Sequence, residues 1–293
     1  MSEVIHKIGF GCAGLSALPT LKRANNVLET AYKVGIRFFD TAPLYGNGFS
    51  EIILGNFIRD KRKEVTVTTK FGLGTGKMPF IPAVLALPLN YIRKKGKKKR
   101  TIQEYATINR PQLLNTRRIS KDSIQLSLEK SLLRLKTDYI DNYLLHEAIP
   151  SFLDDAALDY LFDLRKKGII KKMGIAASFV NIEILGHAEL LGWDILQYEN
   201  GPFFNTDSLK EKFPGQVHIY HSTLKYLHLL QSGGSKKEEM AAMLLAQIII
   251  NNPNGKILFS SSLQDHISSN MSLVKSYLIQ PEIIHEYLSY NYQ

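Results

Sequence analysis

Cysteine is nearly absent from this chain. Cys12 is the one thiol in 293 residues, so no internal disulfide can form and a reducing compartment is the default. Long apolar runs are absent too: none reaches the roughly 18 residues that a membrane-spanning helix needs. The opening MSEVIHKIGFG has no charged start, apolar stretch or small-residue cleavage site. No secretory signal is therefore expected, and a cytoplasmic location is. The eight histidines lack metal-ligand spacing. His218 and His221 lie three apart on a strand-like stretch and face opposite sides, so no metal site is expected. His187, His228 and His285 read as surface residues. Acidic charge is missing from one segment: residues 77–118 hold eleven Lys and Arg against Glu104 alone. That stretch accounts for the whole net charge of +10, so the basicity belongs to an insertion and not to the rest of the chain.

What the chain does contain is a regular alternation. Strand-like runs fall at 4–10, 36–41, 65–71, 138–146, 171–177, 193–199, 216–222 and 256–261. Helical periodicity lies between them at 20–34, 50–58, 121–136, 152–167, 181–191, 237–252 and 263–275. The connection between strands six and seven is short and poorly periodic. Eight strands, each followed by a crossover, predict an α/β fold: a single (β/α)8 TIM barrel over residues 1–293. Pro281 opens a last helix, PEIIHEYLSYNY, outside the barrel. Residues 72–118 break the rhythm with Gly72, Gly74 and Gly76, then PFIPAVLALPLNYI, then RKKGKKKR. This insertion leaves the third strand at its carboxyl end and is expected to hang over the active site.

Four polar residues follow the β-rich runs. Asp40 and Tyr45 sit in RFFDTAPLYGNG, Lys70 ends VTVTTK, and His146 ends DYIDNYLLH. Side chains at the carboxyl ends of barrel strands read as catalytic. A phenol donates a proton poorly near neutrality, since its free pKa is about 10. A nearby ammonium lowers that pKa, a carboxylate holds the ammonium, and an imidazole orients a carbonyl oxygen. Each residue alone is more often a surface residue, but four at successive strand ends point to metal-free carbonyl reduction.

On these residues the chain resembles the aldo-keto reductase family. GIRFFDTAPLYGNGFSEIILG (35–55) and SLEKSLLRLKTDYIDNYLLH (127–146) are similar to its two signatures, and TTKFG (68–72) to its lysine segment. The resemblance covers nearly the whole length apart from 72–118. It implies hydride delivery from NADP(H) or NAD(H) to a small-molecule carbonyl. Tyr45 is then the proton donor, Lys70 the group that lowers its pKa, Asp40 the partner of Lys70, and His146 the group that positions the oxygen. It further implies cofactor contacts from Gly11, Asp40, Ser178, Gln197, Ser222, Leu224, Ser260, Ser261, Ser262, His266 and Asn270.

The chain also departs from the family pattern. Ala176 and Ala177 stand where the family places Ser and Asn against the nicotinamide carboxamide. Asn200 stands at the stacking aromatic, so either Tyr198 or Phe203 substitutes or the ring is held loosely. Ser260 and His266 lie where many NADP-specific members carry Lys and Arg. A 2′-phosphate wants charged, preferably bidentate partners, so the preference between NADP and NAD is left open.

GFGCAG (9–14) matches the dinucleotide fingerprint G-x-G-x-x-G, with Asp40 at a suitable distance. That fold needs the helix to start within the motif, whereas here it reads from Thr20. Cys12 reads as a buried filler. The basic run beside an apolar stretch suits an acidic or carrier-bound substrate, or peripheral contact of 81–100 with an anionic membrane. Two prolines, Pro82 and Pro88, argue against one continuous amphipathic helix there. No stacking aromatics or fold motif support nucleic acid. A second reading is a cofactor-binding barrel of low turnover that senses or binds a partner. The four residues argue against it, since a binding module has no need of Lys70 beside Tyr45.

Overall fold

The computed structural model describes residues 5–73, 118–201, 203–229 and 237–284. Parallel strands β1 (Ile8–Gly11), β2 (Phe38–Asp40), β3 (Thr66–Phe71), β4 (Ile140–His146), β5 (Ile170–Ala176), β6 (Ile195–Glu199), β7 (Val217–His221) and β8 (Lys256–Phe259) close into a barrel in chain order. Around them run α1 (Leu21–Lys33), α2 (Phe49–Ile58), α3 (Lys121–Leu135), α4 (Asp155–Lys166), α5 (Phe179–Glu183), α6 (Thr206–Lys212), α7 (Lys237–Asn251) and α8 (Gln264–Ile279). This is the expected (β/α)8 TIM barrel.

Several helices start where a polar side chain can satisfy a free backbone N–H. Thr20 accepts from Arg23, Ser120 from Ser123, Asp154 from Ala157 and Asn205 from Ser208. The Asn205 cap starts α6, in the connection that the sequence left without a helix. The helix expected over 181–191 is instead α5 followed by a short turn of 3-10 helix at Ala188–Leu190. Gly186 separates the two, its N–H bound to the Glu189 carboxylate at 2.9 Å.

The alternation of side chains along each strand divides the core. Phe38, Leu144, Ala176, Ile195, Ile219 and Leu258 fill the lumen. The outward-facing residues pack under the helices in a larger cluster that includes Phe10, Phe39, Tyr143 and Tyr198. Gly9 belongs to the lumen: a Cβ there would lie 2.1 Å from the Phe38 ring. The first glycine of the GFGCAG motif thus makes room for core packing, not for a phosphate. Residues 12–17 form a 3-10 turn and α1 starts at Leu21, so the dinucleotide-fingerprint reading fails.

The insertion leaves after β3, as expected. Its ends meet beside β4: a Cβ on Gly72 would lie 3.3 Å from Ile119, and Ile119 pairs with Leu153. The glycines at 74 and 76, the apolar stretch, the basic run through 100 and most of the expected last helix lie outside the described residues. Among the described residues, no helix is long and apolar enough to cross a membrane, and no cluster of His, Cys, Asp and Glu could hold a metal.

Candidate active site

β2, β3 and β4 are adjacent, so their carboxyl ends gather Asp40, Lys70 and His146 without help from distant loops. Lys70 Nζ donates to Asp40 Oδ1 at 2.7 Å and to the Thr41 carbonyl at 2.9 Å. It also lies 3.5 Å from the Tyr45 hydroxyl. Lys70 is 1% exposed and Asp40 3%, so this ion pair is shielded from solvent screening.

Tyr45 sits on a turn, and the turn explains GNG. Gly46, Asn47 and Gly48 all have positive φ (60°, 54° and 89°), a run that glycine and asparagine tolerate best. A Cβ on Gly48 would come within 2.6 Å of Arg134. Arg134 in turn pairs with the buried Glu51 at 2.9 Å, which also accepts from Thr69 at 2.7 Å. Thr41 donates to Ser50, and Ser50 to the Cys12 carbonyl, both at 2.9 Å. These contacts clamp the Tyr45 turn between the 3-10 turn after β1, β3 and α3.

The His146 and Tyr45 rings are perpendicular, with centroids 6.1 Å apart. Burial, with Lys70 and His221 nearby, pushes the His146 pKa down to about 3. The imidazole is therefore neutral at physiological pH and can donate a hydrogen bond from one nitrogen. Burial pulls the Lys70 ammonium down, but Asp40 and Tyr45 together outweigh it and hold its pKa above the ordinary value. Burial raises the Tyr45 pKa, with Lys70 opposing, so the phenol stays protonated. Burial also raises the Cys12 thiol, which keeps it inert, in line with the filler reading.

Asp40, Tyr45, Lys70 and His146 line a cavity of about 480 Å³. Gly11, Gln197, Ser222, Leu224 and Ser260, five of the expected cofactor contacts, line it too. Gln197 Oε1 is buried there without a hydrogen-bond partner, an acceptor ready for an amide N–H. Asn270 Oδ1, in α8, is also buried and unpaired, but it does not line this cavity. This polar lining, with Gln197 Oε1 as an open acceptor, fits the carboxamide of a nicotinamide cofactor.

Ser178, Ser261, Ser262 and His266, also expected as contacts, do not line this cavity. The Ser178 hydroxyl caps α5, accepting from Asn181. Ser261 is tied to Leu263 in a turn, and Ser262 is exposed. His266 is exposed and sits 3.9 Å from Glu238. Tyr198 does not stand in for the missing aromatic: its ring packs outside the barrel and its hydroxyl meets His218 at 2.7 Å. Phe203 is 45% exposed and does not line the cavity. Asn200 ties the β6 and β7 loops through Thr206 and Thr223.

Three titratable cavity residues were not among the candidates read from the sequence: Glu147, His221 and Lys225.

The sequence profile of the aldo/keto reductase family matches residues 7–212. The chain belongs to the aldo/keto reductase family. Among curated members, it is 28% identical over 211 residues to an NADP(+) aldo-keto reductase of Schizosaccharomyces pombe, covering 69% of this chain and 51% of that one. It is 32% identical over 181 residues to the D-threo-aldose 1-dehydrogenase of a Pseudomonas species, covering 59% and 50%. The chain thus spans about half the length of the curated relatives it matches. An aldo-keto reductase of Klebsiella pneumoniae in complex with NADPH shares the fold, with a TM-score of 0.60 and 17% identity over 92% of this chain and 85% of that one.

Proposed function

We propose that this aldo/keto reductase family member is an oxidoreductase that interconverts a small aldehyde or ketone and its alcohol, with NADP(H) or NAD(H). The observation that carries the reading is the buried Asp40–Lys70 pair held against the Tyr45 hydroxyl at the wall of one cavity. The reduced nicotinamide, when bound, supplies the hydride. Tyr45 gives its proton to the carbonyl oxygen, and Lys70 stabilises the phenolate left behind. Asp40 keeps the ammonium in place. Neutral His146 donates to the same oxygen and fixes its position without adding a charge. Gln197 offers a buried acceptor to the cofactor.

A low-turnover sensor is the second reading. It is favoured by Ala176, which lines the cavity but offers no polar group to a carboxamide. One experiment separates them: cofactor fluorescence on titration with NADPH and NADH, then absorbance at the reduced cofactor's band after adding short aldehydes. Binding with multiple turnovers supports the oxidoreductase. Tight binding without turnover supports the sensor. Binding of neither cofactor contradicts both.

A further inference from the structure

Glu147 occupies an unusual position. It follows the last residue of β4 with a left-handed φ of 49°, a region a long side chain rarely adopts. Such conformations persist where the surroundings over-determine them, and they cluster at functional sites. The Glu147 N–H is fixed by the Ala176 carbonyl at 2.8 Å. The residue then lines the same cavity as Tyr45, Lys70 and His146.

The charges around it are unequal. Asp40 and Lys70 neutralise each other as an ion pair, and His146 is neutral. His221 also faces the cavity, with its pKa lowered by burial. Lys225 lines the cavity too, but from the exposed segment after β7, three strands around the barrel from β4. Behind Glu147 lies Glu199, whose carboxylate accepts the Phe179 N–H at 2.7 Å. Burial and then Glu199 push the Glu147 carboxyl up to about 7, while the Ser178 N–H and Lys70 pull the other way. A cation brought to this wall would draw off the proton and gain a charge-assisted hydrogen bond. A substrate carboxylate would meet a like charge.

We infer that Glu147 is a specificity-determining residue that selects carbonyl substrates bearing an ammonium group near the carbonyl and rejects carboxylated ones. This rests on the carbonyl-reducing reading and names its substrate class. It also runs against the acidic substrate that the basic insertion suggested.

The test compares four aldehydes of similar size at pH 8: aminoacetaldehyde, glycolaldehyde, propanal and glyoxylate. The parent is expected to favour aminoacetaldehyde over glyoxylate in kcat/KM by about tenfold or more. Glu147→Gln should collapse that ratio toward unity, and Glu147→Lys should invert it. An unchanged ratio in both variants overturns the inference, as does a parent that prefers glyoxylate. If the parent reduces none of the four, the oxidoreductase reading fails, and binding decides the inference separately. NMR line broadening of 2-aminoethanol should then exceed that of propan-1-ol in the parent and not in Glu147→Gln. Equal broadening in the parent overturns it.

Discussion

Lys70 Nζ lies 2.7 Å from Asp40 Oδ1, and both side chains are almost wholly buried. Each charge depends on the other, because a lone buried charge has no solvent to stabilise it. The same ammonium faces the Tyr45 hydroxyl at 3.5 Å. One residue therefore links the stability of the barrel mouth to the acidity of the phenol.

That link predicts a separable pair of effects. Lys70→Met should destabilise the fold by about 3–5 kcal/mol, since it strands Asp40. It should also abolish reduction. Adding Asp40→Asn should recover much of the melting temperature but none of the activity. Thermal unfolding beside a turnover assay checks this; recovery of both would show that Lys70 serves structure alone.

The cofactor preference follows from the charges at the far end of the site. Ser260 offers no cation, and His266 faces Glu238 at 3.9 Å. A missing charged hydrogen bond forgoes roughly 1.5–3 kcal/mol. NADPH should therefore bind at most modestly better than NADH, and Glu238→Gln should shift the ratio toward NADPH. A preference for NADPH above about a thousandfold would mean that another cation, such as Lys225, holds the phosphate.

Stability should respond to pH through two neighbours in opposite directions. His146 has a folded pKa near 3, below its unfolded value, so the unfolded state takes up the proton first and stability falls as pH drops from about 6.5 toward 3. Glu147 has a folded pKa near 7, above its unfolded value, so its contribution is full below about 4.5 and is lost as pH rises through 7. Glu147→Gln should thus raise the melting temperature at pH 8 relative to the parent, and do so less at pH 5. A constant offset at both values would show that Glu147 titrates normally.

Gly55 tests the packing of α2 on α3. A Cβ there would lie 2.3 Å from the Arg134 carbonyl and 2.6 Å from the Leu135 Cα, both backbone atoms that cannot swing away. Gly55→Ala should destabilise by about 1–3 kcal/mol, although alanine favours a helix by about 1 kcal/mol. Chemical denaturation measures it, and a stabilised variant would contradict the helix contact.

Much of this was legible in the sequence, for physical reasons that differ by residue. Asp40, Lys70 and His146 could be placed because each ends or nearly ends a β-rich run, and parallel strands align those ends. Tyr45 was singled out with Asp40 in RFFDTAPLYGNG, a segment similar to the family signature. Glu147 and His221 were missed because cavity exposure at a strand end depends on backbone angles and register, as the positive φ of Glu147 shows. Tyr198 was offered as a cofactor contact, but it alternates outward between Gln197 and Glu199 and packs on Phe179 and His218. The α6 helix, Thr206–Lys212, is too short to show a clear period.

The central claim is that Tyr45 is the proton donor, and Tyr45→Phe tests it most directly. The measurement is the single-turnover rate of aldehyde reduction by enzyme preloaded with reduced cofactor, beside the cofactor's dissociation constant. The account predicts an unchanged dissociation constant and a rate lower by about 10²-fold or more, since only the transferred proton is removed. A variant that keeps more than about a tenth of the parent rate would contradict it.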